Sequence, residues 1–215
     1  DWLSVAPVSR LPEDEPEPDD LLRFARSLQA TLYQPPIASE VAFRRYRRAR
    51  AASPGSKLDP IEAVEIERIG QRLAYAAGDL TRANRHRANA DSLAEQLRFE
   101  LPARPRTDGE FLNALIDCDA VDTAVGVRQL SHLLSSERAF EASPELVTEA
   151  QGLVALILAL LGDRDQAVEC LTSADRGIAV HRLGGTARAT ADIARLTLVG
   201  SSVGAERAGF DEYLQ

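Results

Sequence analysis

Two segments of the sequence share one pattern, in which an apolar helix end is followed by Gly-Asp and then by Ala four residues after the Asp. The two copies are Gly78-Asp79 with Ala83, and Gly162-Asp163 with Ala167. Gly readily adopts the left-handed conformation that ends an α-helix, and Asp caps the N-terminus of the helix that follows. The small Ala, one turn into the second helix, allows two antiparallel helices to approach closely. The pattern therefore predicts helical hairpins.

The spacing of the two copies predicts where further hairpins lie. Ala83 and Ala167 are 84 residues apart, so a repeat of half that length, 42, places a third helix joint at residues 119–124, with Ala124 as its small residue. One step back lands near Ala42, and one step forward lands near a predicted joint at 203–208. About five helical hairpins are therefore predicted, at 19–51, 60–99, 108–136, 143–176 and 184–214.

Other helix signals agree with this interpretation. Asp59-Pro60 and Ser143-Pro144 each combine a capping residue with Pro at the first helical position. Pro102 and Pro105 end the helix before them, so we expect the next helix to begin at about Asp108. Hydrophobic residues make up 45% of the chain and aromatic residues only 5%, and no segment shows sustained strand alternation. We therefore expect an all-α fold with an aliphatic core.

The hairpins resemble the tetratricopeptide-repeat family, whose motif has Gly-Asp at the turn and small and large apolar residues at fixed positions. The fourth hairpin carries the motif at Ala155, Gly162, Asp163, Ala167, Leu171 and Ala174. The second hairpin carries it at Gly78, Asp79, Ala83 and Ala90. It departs at Arg87, in place of the large apolar residue, and at Gln71, in place of the small one. The third hairpin keeps Ala124 and little else.

The repeat is also longer than the family's usual unit of about 34 residues. Longer units occur in the helical arrays of LuxR/MalT-type bacterial regulators, and this sequence is most similar to those. The resemblance implies a right-handed α-solenoid over residues 19–215. It also implies that a concave face, formed by the first helices of the hairpins, binds a peptide, a protein or a small ligand.

Composition excludes several classes of protein. The net charge of −8 disfavours nucleic-acid binding by the whole domain, because phosphate binding needs a positive field. The most apolar run, residues 153–161, is shorter than the roughly 18 residues of a membrane span, so we expect a cytoplasmic protein.

The two cysteines, Cys118 and Cys170, lie within predicted helices, where we expect them to be inert thiols. The alternative is a disulfide between them or a redox role. The sequence begins at Asp1 and lacks Met, which we take to indicate a fragment or a processed product.

The sharpest local feature is an arginine-rich stretch at residues 43–50, downstream of an acidic, proline-rich arm at 1–18. Five arginines and two aromatic residues could bind phosphates, stack on bases or contact an acidic partner. The alternatives are a solvated helix face with Phe43 and Tyr46 packed inward, or internal pairing with acidic residues 13–20. The candidate binding residues are Arg44, Arg45, Tyr46, Arg47, Arg48 and Arg50.

Signals of catalysis are poor. His86, His132 and His181 are far apart in the sequence, and the arginines around His86 suggest an exposed helix face. The sequence contains no HExxH, GxSxG or GxxxxGK[ST] motif. We therefore expect no catalytic residues, no cofactor and no metal.

The leading hypothesis is a non-catalytic protein-interaction or effector-sensing module of a larger bacterial regulatory or signalling protein. Its partner would be another protein or a peptide bound on the concave face. The alternative is a self-standing scaffold or adaptor, associated with the cell envelope, whose arm is a tether. An all-α enzyme and a nucleic-acid binder at the arginine stretch are further alternatives.

Overall fold

The computed structural model describes residues 21–33, 39–53, 58–97, 101–120 and 122–213, which contain α-helices and no strand. The α-helices are α1 (Leu21–Ala30), α2 (Ser39–Ala52), α3 (Pro60–Ala76), α4 (Leu80–Leu97), α5 (Ala103–Ala120), α6 (Thr123–Ser135), α7 (Pro144–Leu160), α8 (Arg164–His181) and α9 (Gly185–Tyr213). Short 3₁₀ turns at Thr31–Tyr33 and Glu137–Phe140 follow α1 and α6. The all-α prediction is confirmed, whereas the arm predicted at 1–18 lies outside the described residues.

Helix α3 begins where the sequence predicts. The Asp59 side chain accepts a hydrogen bond from the Ile61 backbone N–H at 2.8 Å. The Glu62 side chain accepts one from the Asp59 backbone N–H at 3.1 Å, which completes a capping box. Pro60 takes the first helical position, where its missing N–H costs nothing.

The two Gly-Asp turns also form as predicted. Gly78 and Gly162 have φ angles of 75° and 82°, in the left-handed region that favours glycine. Asp79 and Asp163 each accept a hydrogen bond from the backbone N–H three residues later, at 3.0 and 3.4 Å. The alanines four residues after each Asp are fully buried at the contact between the paired helices.

The third joint lies where the spacing predicts it, but its small residue is different. Asp122 caps α6 by accepting a hydrogen bond from the Ala124 backbone N–H at 2.8 Å. Ala124 itself is exposed, so its prediction as the small contact residue is wrong. Gly126, four residues after the capping Asp, is buried instead, and a Cβ there would lie 2.5 Å from the backbone N of Cys118.

Several helix boundaries differ from the prediction, among them the end of α8, which lies at His181 rather than near residue 176. The prediction of a fifth hairpin is wrong, because α9 is one helix of 29 residues with no joint at 203–208. Gly200 is followed by neither a capping Asp nor a Pro, and a Gly inside a helix costs only about 1 kcal/mol. Helix α5 begins at Ala103 rather than near Asp108, because Pro105 lies in the first turn, where backbone N–H groups have no helical acceptor.

The first helices of successive hairpins contact one another. Helix α3 packs on α4, α1, α2 and α5, whereas α5 packs on α6 and α7, and α7 packs on α8 and α9. Helix α9 also contacts the 3₁₀ turn Thr31–Tyr33, so the last helix returns to the region of the first. Buried side chains form three clusters, one around α1–α4, one around α5–α7 and one around α7–α9.

Candidate functional site

A cleft of about 750 Å³ opens between α1, α3, α5 and the start of α7. Its main apolar lining residues are Ala30, Ile69, Leu112, Leu146 and Leu183. Its charged lining residues are Arg26, Glu65, Arg68, Arg72, Arg104, Asp108 and Glu145. Ligand sites are typically concave, largely apolar and furnished with a few polar groups. This cleft is therefore our leading candidate site in the described part of the chain.

The rim of the cleft carries an ion pair between α1 and α3. Nε and Nη2 of Arg26 donate to the two carboxylate oxygens of Glu65 at 2.6 and 2.7 Å. These hydrogen bonds raise the pKa of Arg26, although its partial burial opposes the shift. The Arg26 side chain is 58% exposed, so this guanidinium remains accessible to a bound molecule.

A second ion pair lies deep in the wall of the cleft. Arg72 of α3 is only 1% exposed, and its Nη2 donates to the carboxylate of Glu149 in α7. The same nitrogen lies 3.4 Å from Oγ1 of Thr186 in α9. Because an unpaired buried charge costs several kcal/mol, on the order of 3–5, this contact fixes α3 relative to α7.

The start of α7 is held by a side chain from α5. Asp108 accepts hydrogen bonds from the backbone N–H of Ser143 at 2.6 Å and from its hydroxyl at 2.5 Å. Ser143 precedes α7, but its own side chain makes no capping hydrogen bond. Burial raises the pKa of Asp108, although the hydrogen bonds from Ser143 oppose the shift. Arg104 donates to the Ser143 hydroxyl oxygen at 3.0 and 3.2 Å, which brings a cation to this end of the cleft.

Behind the cleft, a layer of polar side chains joins α3, α4 and α5. Its contacts are Arg68 to Asp91 at 2.6 Å, Gln71 to Asn113 at 2.7 Å and Arg87 to Asp117 at 2.5 Å. Gln71 and Arg87 are the two residues at which the second hairpin departs from the repeat motif. Hydrogen-bonded pairs therefore replace apolar packing at these positions.

A separate polar cluster lies between α2, α3 and α4. Nδ1 of His86 lies 2.8 Å from the Glu67 carboxylate, which also contacts Asn89 at 3.3 Å and Arg50 at 3.5 Å. Burial tends to raise the pKa of Glu67, but His86, Asn89 and Arg50 together hold it below its usual value. The His86 side chain is mostly buried, so it does not lie on the exposed helix face that its arginine neighbours suggest, although Arg82 and Arg85 do.

The ring of Tyr46 edges against His86, with 5.7 Å between ring centroids. Its hydroxyl donates to the Ile66 backbone carbonyl at 3.0 Å, and burial raises its pKa. Phe43 is also buried, so the prediction that both aromatic residues pack inward is confirmed. Tyr46 therefore offers no exposed ring on which a base could stack.

The five arginines of the candidate patch have different surroundings. Arg50 pairs with Glu67, and Arg44 pairs with Glu40 at 3.0 Å. Arg45 is partly buried, whereas Arg47 and Arg48 are exposed. The structure thus leaves Arg44, Arg47 and Arg48 as the arginines that α2 presents most fully to solvent.

Other reactive side chains do not converge. His132 and His181 are exposed and belong to different helices. Cys118 and Cys170 are free thiols, and burial raises the pKa of Cys118 to about 11. Among the described residues, no group of three His, Cys, Asp or Glu side chains could hold a metal ion. Within the same ranges, every helix is too short or too polar to cross a bilayer.

Sequence reasoning missed the charged residues of the cleft. Arg68 and Arg72 lie four positions apart, so they share one side of α3. This spacing places them together but does not show that the side faces a cleft. The contacts of Glu149 with Arg72 and of Asp108 with Ser143 gave no sequence signal, because the partners are 77 and 35 positions away.

The fold and the cleft define an all-α protein whose helical hairpins enclose a charged cleft. Comparison with known proteins finds no matching family model, and no significant match to a curated protein or to a solved structure.

Proposed function

We propose that this protein is a non-catalytic binding module, a tetratricopeptide-like right-handed solenoid that holds a peptide segment of a partner protein in its cleft. The observation that supports this most is the cleft of about 750 Å³ between the first helices of successive hairpins. In helical-repeat proteins these helices form the concave binding surface. The larger protein to which the module belongs would be a bacterial regulator or signalling protein.

The composition of the cleft favours a peptide with mixed side chains. Ile69, Leu112 and Leu146 provide an apolar wall. Arg26 and Arg104, both more than half exposed, provide cations at its edge, and Glu145 provides an anion. An extended segment with an apolar side chain between charged ones would satisfy both parts of this lining.

The arrangement of the other ionisable groups favours binding over catalysis. The carboxylates of Glu149, Asp117 and Glu67 each contact a guanidinium or an imidazole group from another helix. Such contacts position helices, and a general acid or base would instead need access to a substrate. Two carboxylates that line the cleft are engaged as well, Glu65 by Arg26 and Asp108 by Ser143.

The proposal is tested by blocking the cleft with a bulky side chain. Ala30 is exposed and lines the cleft, so Ala30→Trp fills the space without disturbing the core. The matched control is Ala88→Trp, at an exposed alanine of α4 that does not line the cleft. Peptides are selected on the wild-type protein from a random dodecapeptide library and then synthesised. Their affinities are measured by fluorescence anisotropy.

We expect the selected peptides to bind the wild type and Ala88→Trp equally, and to bind Ala30→Trp at least about tenfold more weakly, a change of about 1.4 kcal/mol. Equal binding to all three proteins would place the peptide site outside the cleft and contradict the proposal. A selection that yields only peptides insensitive to Ala30→Trp would have the same meaning.

A further inference from the structure

A basic surface lies on α2 and the start of α4, and none of its residues lines the cleft. It consists of exposed arginines from α2 and from the start of α4, which are Arg44, Arg47, Arg48, Arg82 and Arg85. We call these five residues the basic surface.

Side chains of the two helices that carry the basic surface meet. The rings of Phe43 and Tyr46 in α2 contact the His86 ring in α4, with centroids 6.5 and 5.7 Å apart. Asp79 connects the charges of the two helices. Asp79 pairs with Arg82 of α4, whose hydrogen bonds lower the pKa of Asp79, although burial opposes the shift. The positive charge of Arg47 in α2 lowers this pKa further.

The basic surface has an excess of positive charge. Glu40 pairs with Arg44, and Asp79 pairs with Arg82. No carboxylate of the described residues lies within ion-pair distance of Arg47, Arg48 or Arg85. Two carboxylates thus face five guanidinium groups, which leaves three positive charges uncompensated by described residues.

The chain itself contains a complementary anion. Residues 13–20 carry six acidic side chains and no Lys, Arg or His. The segment ends immediately before Leu21, the first residue of α1, and α1 packs directly against α2. Eight residues can span up to about 26 Å, so the length of the segment does not prevent it from reaching α2.

We propose that the acidic segment at residues 13–20 binds the basic surface within the same chain and shields it. A covalent tether gives such a segment a local concentration in the millimolar range, so several weak ion pairs suffice. A polyanionic partner, such as an acidic region of another protein, then reaches the basic surface only by displacing the segment. This contact is independent of the cleft and of what the cleft binds.

The test uses the scarcity of lysine in this chain, since Lys57 is the only one. In the variant Arg47→Lys/Arg48→Lys, the positive charge is kept and two amines are introduced. A carbodiimide then joins amines directly to carboxylates in contact with them, and the products are mapped by mass spectrometry. The matched control, Arg176→Lys/Arg188→Lys, places two amines at exposed positions of α8 and α9.

We expect cross-links from positions 47 and 48 to residues 13–20, within single chains, with a yield that falls as salt rises. Cross-links from these positions to the nearby Asp79 or Glu40 show that the coupling reaction worked. If those form and links to residues 13–20 do not, the proposal is overturned. Equal linkage of residues 13–20 in the control also overturns it. So does a mixture of isotope-labelled and unlabelled protein in which the links to residues 13–20 form only between different chains.

A binding measurement tests the shielding separately. The probe is a synthetic peptide of 20 glutamates, titrated against the wild type and against Glu13→Gln/Asp14→Asn/Glu15→Gln/Glu17→Gln. Neutralising the segment should tighten binding at least about fivefold, because the probe no longer competes with a tethered anion. Adding Arg47→Gln/Arg48→Gln should reverse this gain. Unchanged affinity in the neutralised variant would overturn the shielding.

Discussion

The hairpins α3–α4 and α7–α8 are joined by the same Gly-Asp turn, but different contacts hold them to their neighbours. Helices α3 and α4 meet α5 partly through the polar layer that contains Gln71 and Arg87, beside the apolar contacts of Leu112. Helices α7, α8 and α9 instead share an apolar cluster that is rich in fully buried alanines, which are Ala155, Ala167, Ala174, Ala187, Ala191 and Ala194. A turn therefore determines how two helices pair and leaves open what holds the pair to the next helix.

The two kinds of interface should fail in different ways. Polar pairs tolerate the loss of both partners together better than the loss of one, because a single loss leaves a buried group without a hydrogen bond. Alanine contacts contain no side-chain hydrogen bonds that must be kept, but they leave no room for a larger side chain. The predictions below test this difference.

The largest effect is expected at Arg72 and Glu149, where the two regions meet. Glu149→Leu removes the carboxylate from a fully buried guanidinium, so unfolding in urea should show a loss of about 3–5 kcal/mol. The double variant Arg72→Met/Glu149→Leu should recover most of this loss. If the double variant is as unstable as the single one, the pair does not act as a buried charge contact.

The second-largest loss of stability is expected when a larger side chain is placed in an alanine contact. Gly152 of α7 packs on α9, since a Cβ at this position would make van der Waals contact with the backbone N of Ala191 at 3.4 Å, and Ala191 is fully buried. Ala191→Leu should therefore cost about 1–3 kcal/mol in thermal unfolding. Ala189→Leu, at an exposed position on the same helix, is the control and should stay within about 0.5 kcal/mol of wild type. Similar losses in both variants would contradict close packing of α7 on α9.

A pH-dependent effect is expected in the cluster around Glu67. The pKa of Glu67 is lowered in the folded protein, with His86, Asn89 and Arg50 outweighing burial, so ionised Glu67 stabilises the fold above the usual carboxyl pKa of 4.5. That contribution is lost as the pH falls through the folded-state pKa. Glu67→Gln should be less stable than wild type by about 1–2 kcal/mol at pH 7, and the gap should narrow as the pH falls below 4.5. A gap that stays constant over this range would contradict the lowered pKa.

The smallest effect is expected where a polar contact joins α8 and α9 at the surface. Arg195 donates to Asp175 at 2.7 Å, but both side chains are almost half exposed. Exposed ion pairs contribute about 0–1 kcal/mol, so Arg195→Gln should change the free energy of unfolding by less than about 0.5 kcal/mol. A loss comparable to that of Glu149→Leu would remove the contrast between the two regions.

The sequence predicted the parts of the fold that short motifs determine. Asp59 acts through its side chain on the next few residues, and Gly78 and Gly162 act through their own backbone, so their effect can be read locally. The length of α9 could not be read in this way, because Gly200 interrupts the pattern without ending the helix. The prediction of Ala124 as the small contact residue was wrong because the close contact lies four residues after the capping residue. That residue is Asp122, so the contact falls at Gly126.

The candidate site was harder to predict, because its residues come from different hairpins. Arg72 and Glu149 are 77 positions apart, and no pattern in either helix indicates the other. Gln71 and Arg87 were visible only as departures from the motif. The structure shows that both departures belong to one polar layer, so mismatched motif positions can indicate where helices meet through hydrogen bonds.

The contacts of Arg72 also bear on how the chain folds. Each hairpin joins residues close in sequence, and such local contacts form early and quickly. Arg72 instead joins α3 to residues 77 and 114 positions away, so this junction must wait until the hairpins exist. Interactions that form after the rate-limiting step slow unfolding and leave the folding rate almost unchanged. The buried ion pair should therefore set the lifetime of the assembled array, while the hairpin turns set the speed of its assembly.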